Sequence, residues 1–500
     1  MNSIFACCVI IILLLRPTEA ATSETPKLNV LFIAADDLRC DLACFGNPEV
    51  KTPNLDRLAA RGRLFTRAYC QQALCNPSRA SLMTGLRPDT IGIWNLETHF
   101  RENVPDVVTL PQWFKQEGYF TRDIGKIFHN GRTKIQGDPD SWSVPAIMHW
   151  GNHGDDKTQV NGALPPSFAK DPKCEQRDVP DEAYFDGRVA AEAIKALREL
   201  TKSEQPFFLA VGFWKPHSPF NAPKKYWDLY DRAAISLPKF SNPPLNVPKI
   251  ALHNSQEILG NPPRKLSESA VREIRHGYLA NISYLDAQVG RVLEELQRLG
   301  LADKTIVVLW GDNGYHLGEQ SLWAKTSNFE LDANIPLIIA GPGVKQAGQK
   351  TGSLVELLDL YPTLLELCGL PTRAKLEGRS LVPLLNDPQA IVKPAAFTQH
   401  PRPAYYSQEP KVMGYSVRTE KFRYTEWRDF KTGEIVAREL YDHIADPHEN
   451  VNRADDKEFT DESRRNEQLL AAEFQLHPPP WQRHAPFPAQ QTAQTNTISP

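Results

Sequence analysis

Four apolar runs in this chain each end on polar groups, and that recurrence limits the folds open to it. Residues 28–35 run into Asp36-Asp37, and residues 119–124 lead to Gly125-Lys126 and His129. Residues 206–211 empty into Trp214-Lys215-Pro216-His217, and residues 305–310 into Gly311-Asp312-Asn313-Gly314. The run 28–35 is what a strand buried on both faces requires, and 119–124, 206–211 and 305–310 read as strands as well. A further strand is expected at 335–340. Helical stretches alternate with them: Thr52-Pro53 caps one that runs through Ala60, and others are expected at 109–117, 183–201, 267–299 and 359–368. The alternation predicts an α/β fold built on a large, mostly parallel (mixed) sheet flanked by helices. Open sheets of this kind bind ligands beyond the carboxyl ends of their strands, where these polar groups would meet.

Asp36, Asp37, Asp312 and Asn313 offer only hard oxygen ligands, which suits Ca²⁺ or Mg²⁺ and argues against zinc. A second feature is the stretch Cys75-Asn76-Pro77-Ser78-Arg79 running on to Thr84-Gly85. Pro77 fits a first helical turn, Gly85 a stop, and Arg87-Pro88 the exit. Cys75 then stands at a helix N-terminus, which favours an anion, and Arg79 lies one turn on, on the same side.

Cys75-x-Pro77-Ser78-Arg79 resembles the signature of the formylglycine-dependent sulfatase family, whose cysteine is oxidised after translation. The resemblance runs from about Leu28 to Asn452, and the family's fold is alkaline-phosphatase-like. It implies a calcium ion held by Asp36, Asp37, Asp312, Asn313 and the formylglycine derived from Cys75. It further implies that Arg79 holds the hydrate, that Lys126 and Lys325 clamp the sulfate, and that His129 takes a proton from the formylglycine hydroxyl. His217, with Lys325, would protonate or stabilise the departing alcohol. The implied reaction passes through a covalent sulfate, which the second hydroxyl of the hydrate expels.

Within the family the chain looks most like the iduronate-2-sulfatase branch. Asp36-Asp37-Leu38-Arg39, Gln71-Gln72-Ala73-Leu74-Cys75, Gly125-Lys126-Ile127-Phe128-His129 and Met413-Gly414-Tyr415-Ser416-Val417-Arg418-Thr419 carry that likeness. The expected substrate is the 2-O-sulfate of a uronate in a glycosaminoglycan-type polysaccharide. Another sulfated glycan, or a phosphate or phosphonate ester, is the alternative, and a non-catalytic binder of sulfated glycan is the third reading. Leu86 departs from the extended signature. Trp214, Tyr315 and Thr326 depart from the branch around the sugar pocket and spare the sulfate core, so they set the sugar apart from the chemistry.

Residues 4–15 form an apolar run too short to span a membrane. With the small residues after Thr18, residues 1–21 read as a secretory signal peptide, an uncleaved anchor being the alternative. The mature protein is then secreted, periplasmic or in a lysosome-like compartment, with no stable membrane insertion. Its partners are a sulfated saccharide and a formylglycine-generating or maturase enzyme. A net charge of -3 excludes a general nucleic-acid binder. Outside the leader and Cys75, five cysteines remain, an odd number that requires at least one free thiol. Cys40 and Cys44 read as core residues, a disulfide or part of the site wall.

Residues 27–385 are expected to form the N-terminal catalytic domain and 395–476 a smaller C-terminal α+β subdomain. In the latter, 413–418 and 421–427 read as antiparallel strands and 462–474 as a helix. Residues 136–180 have no clear period and read as an active-site wall or an insertion, and 218–265 are proline-rich and loop-like. The tail 477–500, rich in Pro, Gln and Thr, reads as disordered.

Overall fold

The computed structural model describes residues 27–130, 133–149, 174–373, 375–404 and 409–483. The leader 1–21, most of 136–180 and the tail beyond 483 lie outside the described residues.

The main strands, in chain order, are β1 (Asn29–Asp36), β2 (Gly62–Tyr69), β3 (Phe120–Gly125), β4 (Phe207–Pro216), β5 (Thr305–Gly311) and β6 (Asn334–Ala340). Their order across the sheet is β2-β6-β5-β1-β4-β3, with short edge strands at Lys350–Thr351 and Val355–Glu356 beside β2. β5, β1, β4 and β3 run parallel, and β6 is antiparallel to both of its neighbours. The expected mixed, mostly parallel sheet is therefore present.

The reason β1 reads as a continuous apolar run is visible in its two faces. Leu31, Ile33 and Ala35 enter one core, and Val30, Phe32 and Ala34 enter another on the opposite side. The principal helices are α1 (Pro53–Ala60), α2 (Cys75–Thr84), α3 (Phe185–Leu200), α4 (Glu268–Arg298) and α5 (Thr460–Leu476). α1, α3 and α4 cover the first face, and α2 with the helix Leu360–Leu367 covers the second.

One sequence expectation needs correction here, and one strand was not foreseen. Thr52 precedes α1 but its side chain does not cap it. Asp286, on α4, accepts instead from the backbone N–H groups of Asn54 and Leu55 at 3.0 and 2.8 Å. The orphan donors of a helix start take whichever acceptor the fold brings near. Second, β2 carries no apolar run that marks it as a strand. Its buried Arg63 interrupts the pattern and is satisfied by the carbonyls of Leu384 and Lys345 at 3.0 and 2.8 Å.

The C-terminal part is a four-stranded antiparallel sheet, β7 (Ala396–Arg402), β8 (Val412–Arg418), β9 (Phe422–Asp429) and β10 (Ile435–Asp442), in sequential order. Leu470 and Phe474 of α5 close its core against Met413, Tyr415 and Val417. β7 abuts the segment that leads to α2, where the Gln399 N–H donates to the Gln71 carbonyl at 2.8 Å. Among the described residues no helix is long and apolar enough to cross a membrane. Cys40, Cys44, Cys70, Cys75, Cys174 and Cys368 are free thiols, so Cys40 and Cys44 do not form a disulfide.

Candidate active site

The four polar strand ends do converge, because β5, β1, β4 and β3 are consecutive in the sheet. β1 is register-shifted after Ala35, and Asp37 takes a left-handed backbone with φ 59°. Asp312 Oδ1 accepts from the N–H groups of Asp37 and Asn313 at 3.0 and 2.9 Å, which ties the ends of β1 and β5 together.

α2 enters from the side. No side chain caps its first turn, and Gly85 ends it in the left-handed region. Cys75 Sγ donates to Asp36 Oδ1 at 3.3 Å. One turn on, Arg79 is fully buried. It donates from Nε to Asp312 Oδ2 at 2.7 Å, from Nη2 to Asp36 Oδ1 at 3.4 Å, and from Nη1 to the Lys126 and Ile127 carbonyls.

Lys126 Nζ reaches Asp36 Oδ2 and lies 5.1 Å from the Trp214 ring centroid. Gly125, with φ 90°, and its cross-strand partner Gly212 allow this turn. A Cβ on either would strike backbone, and on Gly212 that backbone is Lys126 itself. His129 follows in the same loop and is buried.

His217 stands between two cis peptide bonds, before Pro216 and before Pro219. Its Nδ1 lies 2.6 Å from the Ser218 carbonyl. A carbonyl only accepts, so Nδ1 carries a proton and Nε2 is the atom presented to the site. Lys325 Nζ lies 3.0 Å from that Nε2, 2.7 Å from Asp37 Oδ2 and 3.0 Å from Glu257 Oε2. The ammonium thus fills the centre of the Asp37, His217 and Glu257 group, which would otherwise resemble a second metal site.

The loop that presents Lys325 is closed at its base. Asp332 accepts from His316 Nδ1 and from Ser327 Oγ, each at 2.6 Å, and Tyr315 N–H donates to the Leu331 carbonyl at 2.8 Å. Arg39 steadies the same loop through the Tyr315 carbonyl at 3.2 Å. Thr326 is buried with φ 92°, and its carbonyl accepts from Arg402 of β7 at 3.0 Å.

The electrostatics distinguish the three acids. Burial pushes Asp36 up, but Lys126, His217 and Arg79 outweigh it and hold the carboxyl well below its usual range. Burial drives Asp37 well above its usual range despite Lys325, with Asp36 and Glu257 adding to the rise. Burial likewise raises Asp312 against the pull of Arg79. Burial, with Asp312 and Asp36 beside it, also drives the Cys75 thiol well above its ordinary value. A thiolate is therefore disfavoured at the place where a nucleophile would stand.

A divalent cation fits these residues. Ligating atoms of Asp36, Asp37, Cys75 and Asp312 lie within 4.8 Å of one another. Asn313 donates to Asp37 Oδ1 at 2.8 Å, while its own buried Oδ1 has no hydrogen-bond partner. An orphaned carbonyl oxygen beside three carboxylates is a hard-ligand set, as calcium or magnesium requires. Extra positive charge there would relieve the acids that burial pushes up.

Glu257 has no precursor in the sequence reading. It lies in the proline-rich 218–265 segment, on the short helix Gln256–Leu259, and no motif marks it. Asp123 likewise carries no motif. It is buried on β3 beneath the site, neither oxygen has a hydrogen-bond partner, and burial raises it well above its usual range.

The Sulfatase family model matches residues 28–370, and the model for the C-terminal region of N-sulphoglucosamine sulphohydrolase matches 318–474. Iduronate 2-sulfatase of Mus musculus is 35% identical, with 89% of this chain and 94% of the relative covered. A sulfatase of Formosa agariphila is 34% identical, with 87% and 85% covered. A solved phosphonate monoester hydrolase from Silicibacter pomeroyi has the same fold, with a TM-score of 0.74 at 22% identity over 90% of this chain and 96% of that one.

Proposed function

The chain belongs to the sulfatase family and is a sulfuric ester hydrolase, and from that premise we propose that it is a calcium-dependent enzyme removing the 2-O-sulfate of a uronate in a glycosaminoglycan-type polysaccharide, with Cys75 oxidised to formylglycine. The observation that carries the reading is the setting of residue 75. It stands at an uncapped helix start, 3.3 Å from Asp36, in a pocket whose cations are Arg79, Lys126 and Lys325. That setting suppresses a thiolate and suits an oxygen nucleophile. Calcium supplies charge that holds and polarises oxygen, and the aldehyde hydrate supplies the attacking hydroxyl.

Asp36, Asp37, Asp312 and Asn313 would hold the cation. Arg79 keeps two of those carboxylates and the Lys126 loop in place. Lys126 and Lys325 bind the sulfate oxygens as point charges. His129 acts as base toward residue 75, and the proton for the departing sugar oxygen comes from the Lys325 ammonium, which His217 Nε2 orients as a hydrogen-bond acceptor. The uronate assignment is supported by the 35% identity to iduronate 2-sulfatase over most of both chains.

A second reading keeps the chemistry and changes the sugar. It is favoured by Glu257, whose carboxylate contacts Lys325 and Tyr315 and would repel a uronate carboxylate brought near it. We further propose that the protein works outside the cytoplasm after loss of residues 1–21, and that a formylglycine-generating or maturase enzyme acts on Cys75.

Mass spectrometry of the tryptic peptide containing Cys75, from native-source protein, is the primary test. An aldehyde at position 75 is expected, and an unmodified thiol throughout would overturn the mechanism. Desulfation assays then compare uronate 2-sulfates with galactose and fucose sulfates. Activity on the uronate is expected, and activity only on the others would sink that assignment.

A further inference from the structure

Glu257 reaches the side of the pocket assigned to the leaving alcohol. Its Oε2 lies 3.0 Å from Lys325 Nζ. Its Oε1 accepts from Lys325 Nζ and Ser218 Oγ, each at 3.3 Å, and from Tyr315 Oη at 3.4 Å, and lies 4.0 Å from His217 Nε2. The Glu257 side chain keeps 18% exposure, against 3% for Lys325 and none for Asp37. It therefore stands at the rim, between solvent and the groups that meet the scissile oxygen.

Lys325 divides its ammonium among Asp37, His217 and Glu257. When a sulfate oxygen takes one of its N–H groups, one of these contacts must lengthen. Asp37 is buried and fixed by Asn313. Glu257 is the more exposed of the two and sits on a four-residue helix, so its contact is the one that gives. A carboxylate oxygen is then left with open acceptor capacity beside the leaving oxygen. Such a group takes a hydrogen bond from a hydroxyl and repels an anion.

We infer that Glu257 is a specificity-determining residue that reads the ring substituent next to the scissile sulfate, accepting a hydrogen bond from a free hydroxyl and rejecting a second sulfate or a carboxylate. The inference rests on the sulfatase reading and adds a substrate requirement to it. Sugar 2-sulfates with a free 3-hydroxyl meet the requirement, and their 2,3-disulfates do not.

The test uses full-length protein carrying the Cys75 modification. It measures kcat/KM for 2-sulfated and 2,3-disulfated saccharides in both a uronate and a galactose series, with 4-nitrophenyl sulfate as a probe of the sulfate machinery alone. The wild type should prefer the free hydroxyl by at least about tenfold, and Glu257→Gln should cut that preference by about tenfold, mainly by lowering KM for the disulfate. Glu257→Asp, which keeps the charge, should still reject the disulfate, and it serves if the glutamine variant does not fold. An unchanged preference in Glu257→Gln, with both substrates falling in parallel, would show that Glu257 only positions Lys325 and would overturn the inference. So would a wild type that favours the disulfate. A wild type that cleaves neither the aryl nor any sugar sulfate would instead bring down the parent reading, and the inference with it.

Discussion

Arg79 Nε donates to Asp312 Oδ2 at 2.7 Å, and both side chains are completely buried. The contact joins the helix that begins at Cys75 to the end of β5, and so fixes residue 75 against the acid cluster. Its Nη1 also holds the carbonyls of Lys126 and Ile127. One guanidinium thus positions three strand ends, which a lysine cannot do because it lacks the planar fork.

Replacing Arg79 by alanine should cost about 3–5 kcal/mol, since it leaves buried carboxylates uncompensated. Arg79→Lys should cost less, yet still lower kcat/KM by about a hundredfold through misplacement of residue 75. Denaturant unfolding and steady-state kinetics check the two together. A lysine variant with full activity would show that the fork geometry is dispensable.

Calcium should stabilise the protein with the logarithm of its concentration over the dissociation constant, by about 2.7 kcal/mol at a hundred times that constant. Differential scanning with calcium and with a chelator reads this as a shift in Tm. Asn313→Ala removes the orphaned Oδ1 and should move the calcium midpoint about tenfold higher, on the scale of one lost ligand. A Tm indifferent to both calcium and magnesium would remove the metal from this cluster.

Gly212→Ala should damage activity from within the sheet. Its Cβ would strike the Lys126 backbone, which has no room to retreat because Gly125 packs against Gly212 in turn. Overpacking of this kind costs about 1–3 kcal/mol. Lys126 is displaced with it, so kcat/KM should fall more than stability alone explains. Unchanged kinetics at a temperature where the variant is folded would contradict that coupling.

Glu439 makes a pH prediction in the C-terminal sheet, away from the metal ligands. It accepts from Trp427 Nε1 and Tyr441 Oη, each at 2.7 Å, and burial outweighs those bonds to push it from 4.5 to about 7. Because the folded value is the higher, the folded state keeps the proton while the unfolded chain loses it. The stabilisation is full below pH 4.5 and is lost as pH rises to 7, by about 3 kcal/mol in all. Glu439→Gln can keep both hydrogen bonds without titrating. Its stability relative to wild type should therefore rise across that window, and a constant difference would refute the assignment.

The parts of the site that were legible in the sequence share one property. Asp36-Asp37, Lys126, His217 and Asp312-Asn313 each lie within a few residues of the end of a parallel strand, fully buried in β1, β4 and β5 and partly exposed in the edge strand β3. Mainly apolar runs announce β1, β4 and β5, and parallel packing brings the carboxyl ends to one edge. Cys75 and Arg79 were legible for a similar reason, since they lie one turn apart on a helix with clear start and stop signals. β2 escaped because its strand is stabilised around a buried arginine, and β7 and β10 because strands held by cross-strand pairing need not alternate cleanly.

Glu257, Asp123 and the Asp286 cap were not legible, because their significance comes from neighbours far away in the chain. Asp286 caps a helix more than two hundred residues earlier, and Glu257 meets Lys325 across 68 residues. Local sequence determined the parallel strands β1, β3, β4 and β5 and the polar groups that follow them, since backbone conformation is a short-range demand. Only the tertiary structure decided that Lys325 takes the centre of an acid and imidazole group, that Asn313 leaves an oxygen unpaired beside three carboxylates, and that Glu257 closes the rim. Those facts depend on distances between separate loops, and the energy of a buried charge is set by its surroundings rather than by its place in the chain.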